Sequence, residues 1–362
     1  MLCRMTLPPE PGRPPEPVRP AVVAHPTASG TTPGRRRWVI LIIVGAVLTV
    51  ASAGGLSWFH FSTERHFSQV ERMPDPFVSI PASERPPKPT KSSSKAKESR
   101  TILLAGLDTL PENPNDPGRS DALMVVRIAA DRKWSYVVSI PRDAWVEIPG
   151  HGMAKINAAY AWGGPPLAVR TVERLTGLRI DHFAVVGMSG FRELTDAVGG
   201  VTVTIPDRPG AGAGVLPPGR HRLTGDQALA YVRERKSLPH GDLDRVQRQQ
   251  NYLRELMVKI LDRNMLADPM RVNALLEVVS RTVRVDRGLT NDMMREMLME
   301  LRDMRVLFVT VPVNGTGMVG TQSVVWLHDK EGPPFWAAVR NDELRTYLER
   351  KQQAVQLGTV VP

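Results

Sequence analysis

The feature that most constrains this chain is an uncharged apolar run from Trp38 to Phe61. The run is WVILIIVGAVLTVASAGGLSWFHF and contains no Lys, Arg, Asp or Glu. A helix needs roughly 20 apolar residues to cross the hydrocarbon core of a bilayer, so this run is long enough to span a membrane. We therefore expect one transmembrane helix over residues 38–61 that separates the chain into two parts.

The charges beside the run predict its orientation. Three consecutive arginines, Arg35–Arg37, directly precede it, and the side of a span that is rich in Lys and Arg usually faces the cytoplasm. We expect the Pro-rich residues 1–37 to form a disordered cytoplasmic tail and the rest of the chain to be extracellular. A cleaved signal peptide is the alternative, because Ala51–Ala53 resembles a cleavage site. Both alternatives export the remainder of the chain.

The exported part divides by composition. Residues 62–100 include PPKP and KSSSKAK and show no helical or strand periodicity, which predicts an extracellular tether. Residues 101–348 carry the regular hydrophobic patterns of a folded domain, and residues 349–362 are expected to form a tail. The single cysteine, Cys3, lies in the predicted cytoplasmic tail, so no disulfide is expected in the exported part.

The net charge of +10 does not indicate a nucleic-acid-binding domain. Residue 101 onward contains 33 basic and 30 acidic residues, so most of the excess lies in the two segments before it. A nucleic-acid-binding domain normally carries a strong basic excess of its own. We expect the basic tails to contact anionic lipid head groups or cell-wall polymers instead.

The hydrophobic patterns after residue 100 predict an α/β domain. The apolar runs TILLAG, ALMVVRIA, WSYVVSIP, HFAVVGM, GVTVTIP and RVLFVTVP are typical of strands, and several are too apolar to expose a face. Helices are predicted over 166–175, 190–198, 225–233, 242–262, 269–282 and 291–303. Strands that alternate with helices favour a three-layer α-β-α sandwich around a central mixed sheet, preceded by the transmembrane helix.

The segment from Tyr231 to Gln250, YVRERKSLPHGDLDRVQRQQ, has the composition of an anion site. Arg233 and Arg235 would share one face of an extended backbone, whereas Arg245, Arg248 and Gln249 would share one side of a helix. Arginine grips phosphate oxygens in two places and stays charged when partly desolvated. The alternative is a solvated basic helix whose arginines are neutralised by nearby acids, and the acids available are Glu234, Asp242 and Asp244.

Acidic and basic residues also flank three predicted strands. Asp108 follows TILLAG, Arg119 and Asp121 border ALMVVRIA, and Arg142-Asp143 follows WSYVVSI. Carboxylates at strand ends suit Mg²⁺, which usually takes one or two protein carboxylates together with phosphate oxygens of a substrate. An Asp in such a loop is also a common turn residue.

These motifs occur in an order that resembles the LytR/CpsA/Psr family. The segments that carry the resemblance are AGLD, RSDALM, SIPRDAWVEIPGHGMAKINAAYAWGG, TGLRIDHFAVV, FRELTDAVGGVTV, LTGDQALAYVRERK and GDLDRVQRQQNYL. They cover about residues 101–262. The family comprises membrane-anchored cell-wall glycopolymer ligases, mostly of Gram-positive bacteria.

The resemblance implies a phosphotransferase that moves a glycopolymer from an undecaprenyl pyrophosphate carrier to peptidoglycan. It assigns pyrophosphate binding to Arg119, Arg142, Arg233, Arg235, Arg245 and Gln249. It assigns Mg²⁺, or activation of the acceptor hydroxyl, to Asp108 and Asp121, and catalysis to Asp121, Arg142, Arg233 and Arg235. Asp143 and Arg248 belong to the motifs, where Asp143 would orient Arg142.

One position departs from the family pattern, since Leu110 stands where members commonly carry an arginine. A polyprenyl tail also requires an apolar groove, for which Ala228, Leu229, Val246, Leu253, Met257 and Ile260 are candidates if they are not ordinary core. Two alternatives remain at this point: a pyrophosphatase that uses water as the acceptor, and a non-catalytic wall-binding or regulatory protein.

Overall fold

The computed structural model describes residues 57, 59–88, 97–107, 120–205, 216–233, 242–260, 262, 264–265, 268–301 and 304–351. For residues 121, 188–189, 242–247 and 250 it describes the backbone alone. The strands of the central sheet are β1 (Glu71–Met73), β2 (Arg100–Leu107), β3 (Ser120–Ile128), β4 (Trp134–Ile140), β7 (His182–Gly187), β10 (Val283–Asp286) and β11 (Arg305–Thr310). Their order across the sheet is β1-β10-β7-β2-β3-β4-β11, with parallel and antiparallel pairs.

Three two-stranded sheets accompany the central one. They are formed by β5 (Trp145–Ile148) with β6 (Gly152–Lys155), β8 (Val201–Ile205) with β9 (Gly219–Leu223), and β12 (Val313–Val319) with β13 (Gln322–Leu327). The helices are α1 (Asn157–Thr176), α2 (Met188–Ala197), α3 (Gly225–Arg233), α4 (Asp242–Ile260), α5 (Pro269–Thr282), α6 (Asn291–Leu301), α7 (Gly332–Arg340) and α8 (Leu344–Lys351).

Helices cover both faces of the central sheet. Leu103 of β2 belongs to the buried cluster that contains Val172 of α1, whereas its neighbour Ile102 belongs to the cluster that contains Leu276 of α5. Successive side chains of a strand point to opposite faces, so a strand covered on both sides must be apolar throughout. This confirms the prediction of a mixed central sheet with flanking helices.

The prediction of a tether over residues 62–100 is corrected for the residues that the structure describes. Residues 59–67 are helical, β1 is an edge strand of the central sheet, and β2 already begins at Arg100. Phe67, Val70 and Ile80 are buried among residues of the domain. Strand β1 could not be predicted from the sequence, because three residues are too few to show a strand periodicity.

Two further elements differ from the predicted ones, one in its sheet and one in its first residue. The run GVTVTIP forms β8, which pairs with β9 in a separate hairpin and not in the central sheet. Helix α1 begins at Asn157, well before the predicted start, and its backbone is interrupted at Gly163 and Gly164. Pro165 and Pro166 follow that interruption, and proline is accommodated at the start of a helical segment but not in its interior.

Most of the predicted transmembrane run lies outside the described residues, as do the predicted N-terminal tail and residues 352–362. Among the residues that are described, no helix is both long and apolar enough to cross a bilayer. The span over residues 38–61 therefore stays a prediction.

Candidate active site

Two of the predicted polar motifs have their backbones at the same end of the central sheet. The parallel strands β2 and β7 end together at Leu107 and Gly187, and β3 begins at Ser120 opposite Leu107. On the other side of β3, the last residue of β4, Ile140, lies opposite Leu123. The register therefore places the backbone of Asp121 and that of Arg142 at the same sheet end, as expected from the sequence.

The backbone at Asp121 departs from regular pairing. Gly106 pairs with Ala122 but Leu107 pairs with Ser120, so Asp121 is the extra residue of an irregularity in the β2–β3 ladder. Such bulges often occur beside active sites, where they interrupt pairing. The predicted metal ligand Asp108 and the predicted pyrophosphate ligand Arg119 lie outside the described residues, and the side chain of Asp121 is not described.

Arg142 and Asp143 form a charged corner directly after β4. The Asp143 carboxylate lies 3.1 Å from the Nζ atom of Lys155 and 3.6 Å from the Nε atom of Arg142. The backbone holds this corner in place, because the carbonyl of Arg142 accepts from the N–H of Asn157 and that of Asp143 accepts from the N–H of Val325. Asp143 therefore forms an ion pair with each of two cations, and its role in orienting Arg142 stays a prediction.

Lys155 is the member of this corner that the sequence reasoning missed. Lys155 is the last residue of β6 and pairs with Trp145 of β5. Its side chain is 23% exposed. The segment AWVEIPGHGMAK contains a signal for it, because two short runs on either side of Pro149-Gly150 are typical of a β-hairpin. The second strand of such a hairpin brings Lys155 back beside the residues that precede the first strand.

The arginines of the basic segment have different environments. Arg233 is the last residue of α3 and is exposed. Arg235 lies outside the described residues, and Arg245 lies in α4 with its side chain not described. The acids Glu234, Asp242 and Asp244, which the alternative of a solvated helix requires, also have no described side chains.

Arg248 is fully buried, which excludes the solvated-helix alternative for this residue. Its guanidinium Cζ atom lies 4.9 Å from the centroid of the Tyr231 ring, and neither residue has any exposed surface. Burial raises the pKa of the Tyr231 hydroxyl to about 12, and the charge of Arg248 opposes this rise. The pair fastens α4 to α3 from within the domain, so Arg248 is a positioning residue.

Gln249 connects the basic segment to the interior. Its side-chain amide donates to the carbonyl oxygen of Val232 at 3.3 Å, the residue directly before Arg233. Gln249 and Val232 both line a cavity of about 220 Å³. The cavity is therefore adjacent to the last turn of α3, which ends at Arg233.

The cavity is apolar and lies between the central sheet and three helices. Its lining residues come from β2, β3 and β7 and from α2, α3 and α4: Leu104, Gly106, Ala122, Met124, Val186, Gly187, Phe191, Leu194, Val232, Gln249, Leu253, Leu256, Met257 and Ile260. Gly106 and Ala122 form a floor of small residues, because a Cβ atom at Gly106 would lie 3.1 Å from the Cβ atom of Ala122. The space accepts an apolar chain and offers little to a polar ligand.

The candidate groove residues from the sequence divide into two groups. Leu253, Met257 and Ile260 line the cavity. Ala228 is fully buried in the cluster that contains Leu223 and Tyr252, and Leu229 packs against this cluster, but neither residue lines the cavity. These two residues are ordinary core, and the side chain of Val246 is not described.

The described residues contain no cluster of three or more His, Cys, Asp or Glu side chains that could hold a metal ion by itself. The predicted Mg²⁺ ligands are not among them, since Asp108 lies outside the described residues and only the backbone of Asp121 is described. A magnesium site of one or two carboxylates plus substrate phosphate oxygens does not require such a cluster.

A mixed sheet flanked by helices, with an apolar cavity next to the end of α3 that carries Arg233, defines an α/β domain suited to an amphiphilic anion. The model of the LytR_cpsA_psr family matches residues 78–332. The chain belongs to this family.

Individual relatives give the same result. The chain is 36% identical over 267 residues to the cell wall biosynthesis protein LcpA of Corynebacterium glutamicum; the match covers 65% of this chain and 50% of that protein. It is 36% identical over 253 residues to the polyisoprenyl-teichoic acid–peptidoglycan teichoic acid transferase TagU of Bacillus cereus, with 69% of this chain and 79% of that protein covered. The chain thus spans about half the length of the corynebacterial relative.

Solved structures share the fold. YwtF (TagT), solved with bound octaprenyl pyrophosphate lipid, superposes with a TM-score of 0.53 at 25% identity, covering 72% of this chain and 96% of that one. YwtF is a protein of Bacillus subtilis.

Proposed function

We propose that this protein transfers a glycopolymer from a polyprenyl pyrophosphate carrier to peptidoglycan. The observation that carries the proposal is the apolar cavity that ends at Gln249 and Val232, next to Arg233. Such a cavity can take an isoprenoid chain while the neighbouring guanidiniums hold the pyrophosphate. The named activity of TagU and the octaprenyl pyrophosphate bound to TagT support the same substrate class.

The proposed reaction is a phosphoryl transfer. The oxygen of an acceptor hydroxyl forms a bond to the phosphorus that carries the sugar, and the bond from that phosphorus to the bridging oxygen breaks. The polyprenyl monophosphate leaves with the electron pair, and the hydroxyl proton passes to a base, for which Asp121 is the candidate. Catalysis of this kind depends on alignment and charge neutralisation more than on a protein nucleophile.

The arginines would act at the two phosphates. Arg142, Arg233 and Arg235 neutralise negative charge as it shifts to the leaving oxygen, together with Arg119 and Arg245. Asp143 holds Arg142 in place, since its carboxylate lies between that guanidinium and the Lys155 ammonium. Gln249 positions the lipid end of the pyrophosphate, because its amide is anchored to Val232.

We also propose that Asp108 and Asp121 hold Mg²⁺ with the substrate phosphates. The bound ion would neutralise phosphate charge and orient the acceptor oxygen. The backbone fits this proposal, because Leu107, which precedes Asp108, pairs with Ser120, which precedes Asp121. Asp108→Asn should raise the Mg²⁺ concentration needed for half-maximal transfer; an unchanged Mg²⁺ dependence would contradict the assignment.

The proposed location is the cell membrane, with residues 38–61 as a single span and the catalytic domain outside. Arg35–Arg37 and the uncharged run support this topology. The single cysteine provides a direct test, because Cys3 should resist a membrane-impermeant maleimide in intact cells and react after permeabilisation. Labelling of Cys3 in intact cells would show that the N-terminus is outside and that the proposed orientation is wrong.

The experiment for the proposed function uses the purified full-length chain, polyprenyl-pyrophosphate-linked glycan, Mg²⁺ and peptidoglycan. We expect glycan to become covalently attached to the wall polymer. Arg233→Ala and Arg235→Ala should abolish transfer while the melting temperature stays unchanged, since Arg233 is exposed. Arg220→Ala, which removes an exposed arginine of β9, is the matched control and should keep full activity.

Two outcomes would overturn the proposal. Free glycan in place of attached glycan would identify a pyrophosphatase that uses water as acceptor. Binding of wall polymer with no consumption of the lipid-linked glycan would identify a non-catalytic wall-binding protein.

A further inference from the structure

Two hairpins distant in sequence join beside the charged corner. Ala144 forms a parallel bridge with Val325, and the N–H of Val325 donates to the carbonyl of Asp143 at 2.9 Å. The hairpin of β12 and β13 thereby continues the hairpin of β5 and β6. The two hairpins together form one ribbon in the order β12-β13-β5-β6.

Neighbouring residues across this ribbon form a row. Gly315 pairs with Trp326, and Trp145 pairs with Lys155. Trp326 and Trp145 each follow a residue of the Ala144–Val325 bridge, and their ring centroids lie 6.5 Å apart in an edge-to-face arrangement. Directly opposed residues of adjacent strands project to the same face. The row therefore presents two indoles and an ammonium on one side of the ribbon.

The Trp326 indole is rigidly mounted although it is 38% exposed. A Cβ atom at Gly317 would lie only 2.5 Å from its Nε1 atom, so the ring lies directly on the backbone of β12. The edge of Trp145 supports it from the adjacent strand. An exposed aromatic ring that is fixed in this way loses little side-chain entropy when a ligand stacks on it.

The row is continuous with the candidate active site. Lys155 lies 3.1 Å from the carboxylate of Asp143, which also pairs with Arg142. A ligand that stacks on Trp326 can thus extend past Trp145 and along Lys155 to the charged corner. Pyranose rings match this surface, because their C–H faces pack on indole rings. Their hydroxyls can accept hydrogen bonds from an ammonium and donate hydrogen bonds to a carboxylate.

We propose that the face of Trp326, Trp145 and Lys155 binds the acceptor, a glycan strand of β-linked amino sugars, beside the phosphoryl-transfer centre. This inference rests on the proposed function, since it assigns the second substrate of the same site. The exposed Trp326 indole stacks on a sugar ring while the edge-on Trp145 indole supports it, and Lys155 and Asp143 hydrogen-bond to hydroxyls. The acceptor hydroxyl is thereby directed toward the pyrophosphate held by Arg142.

The test begins with binding of a soluble probe, a hexamer of β-1,4-linked N-acetylglucosamine, to the full-length chain by calorimetry. Trp326→Ala should weaken the affinity for the hexamer about tenfold, as loss of a stacking indole typically does. Gly317→Ala should also weaken it, because the added methyl group displaces the indole without removing it. Trp162→Ala, which removes an indole that is 52% exposed and outside the row, is the control and should leave the affinity unchanged.

The transfer assay then separates this inference from the proposed function. Trp326→Ala should raise the KM for peptidoglycan about tenfold while binding of octaprenyl pyrophosphate stays unchanged. If the wild type transfers glycan and Trp326→Ala has the same KM for peptidoglycan, the proposed acceptor surface is wrong and the proposed function stands. Hexamer binding that depends on Trp326, in a wild type that transfers nothing, would support the surface and overturn the function. Loss of octaprenyl pyrophosphate binding in Trp326→Ala would show a structural role and overturn the surface.

Discussion

The guanidinium of Arg248 stacks on the ring of Tyr231 in a fully buried contact, with 4.9 Å between Cζ and the ring centroid. Arg248 belongs to α4 and Tyr231 to α3, so the contact bridges the two helices that carry the basic segment. It also lies next to Gln249, whose amide makes the second link to α3 at Val232. The geometry of the arginine site therefore depends on a charged residue that has no access to solvent.

Replacing Arg248 by Met should destabilise the domain and impair transfer. The substitution removes a buried cation and leaves its interaction partners without it. Changes of this kind lower the free energy of unfolding by about 2–4 kcal/mol. Thermal unfolding of the full-length variant would measure the loss. Tyr231→Phe is the matched control, because it keeps the ring under the guanidinium and, among the described residues, its hydroxyl has no hydrogen-bond partner to lose. Equal melting temperatures for Arg248→Met and the wild type would refute the positioning role.

Filling the apolar cavity should block the lipid. Leu253→Trp adds bulk from α4 into a cavity of about 220 Å³, and we expect the affinity for octaprenyl pyrophosphate to fall at least about tenfold. Val258→Trp, on the same helix at a position that is 58% exposed, adds the same bulk outside the cavity and should bind normally. Calorimetric titration of both variants provides the comparison, and equal affinities would place the lipid elsewhere.

The stability of the domain should fall in acid through Asp286. Burial raises the pKa of this carboxyl, but hydrogen bonds from His182 and from the N–H of Phe183 outweigh burial and hold the pKa below its ordinary value. A lowered folded-state pKa means that the stabilisation is complete above the unfolded-state pKa of about 4 and is lost as the pH falls through the folded-state pKa. The nearby Asp181 acts in the opposite sense, because burial raises its pKa.

Urea unfolding between pH 3 and pH 6 measures this effect. Asp286→Asn should lose about 1–3 kcal/mol of unfolding free energy at pH 6 and show a weaker decrease in stability between pH 4 and pH 3. Asp226→Asn, in an exposed carboxylate of α3, should keep the wild-type pH dependence. An unchanged acid dependence in Asp286→Asn would show that other carboxyls govern acid unfolding.

The sequence predicted the arginine segment but not the separate roles of its members. Arg248 and Gln249 were expected on one side of a helix, and both do face inward from α4. Adjacent residues of a helix point about 100° apart, however, so Arg248 reaches Tyr231 while Gln249 reaches the cavity. Their distinct partners come from α3, and no spacing within α4 could identify them.

Local pattern predicted strands β2, β3, β4, β7, β8 and β11 and helices α1 to α6, and the order of the motifs determined the family. Those features depend on neighbouring residues, because strand alternation, helical spacing and charge runs are all read within one short window. Tertiary structure alone decided that residues 71–73 complete the central sheet, that Arg248 is buried, and that Trp145 and Trp326 form one row with Lys155. Each of these outcomes joins segments far apart in the chain, and such pairings follow from which surfaces can be buried together, which no local window contains.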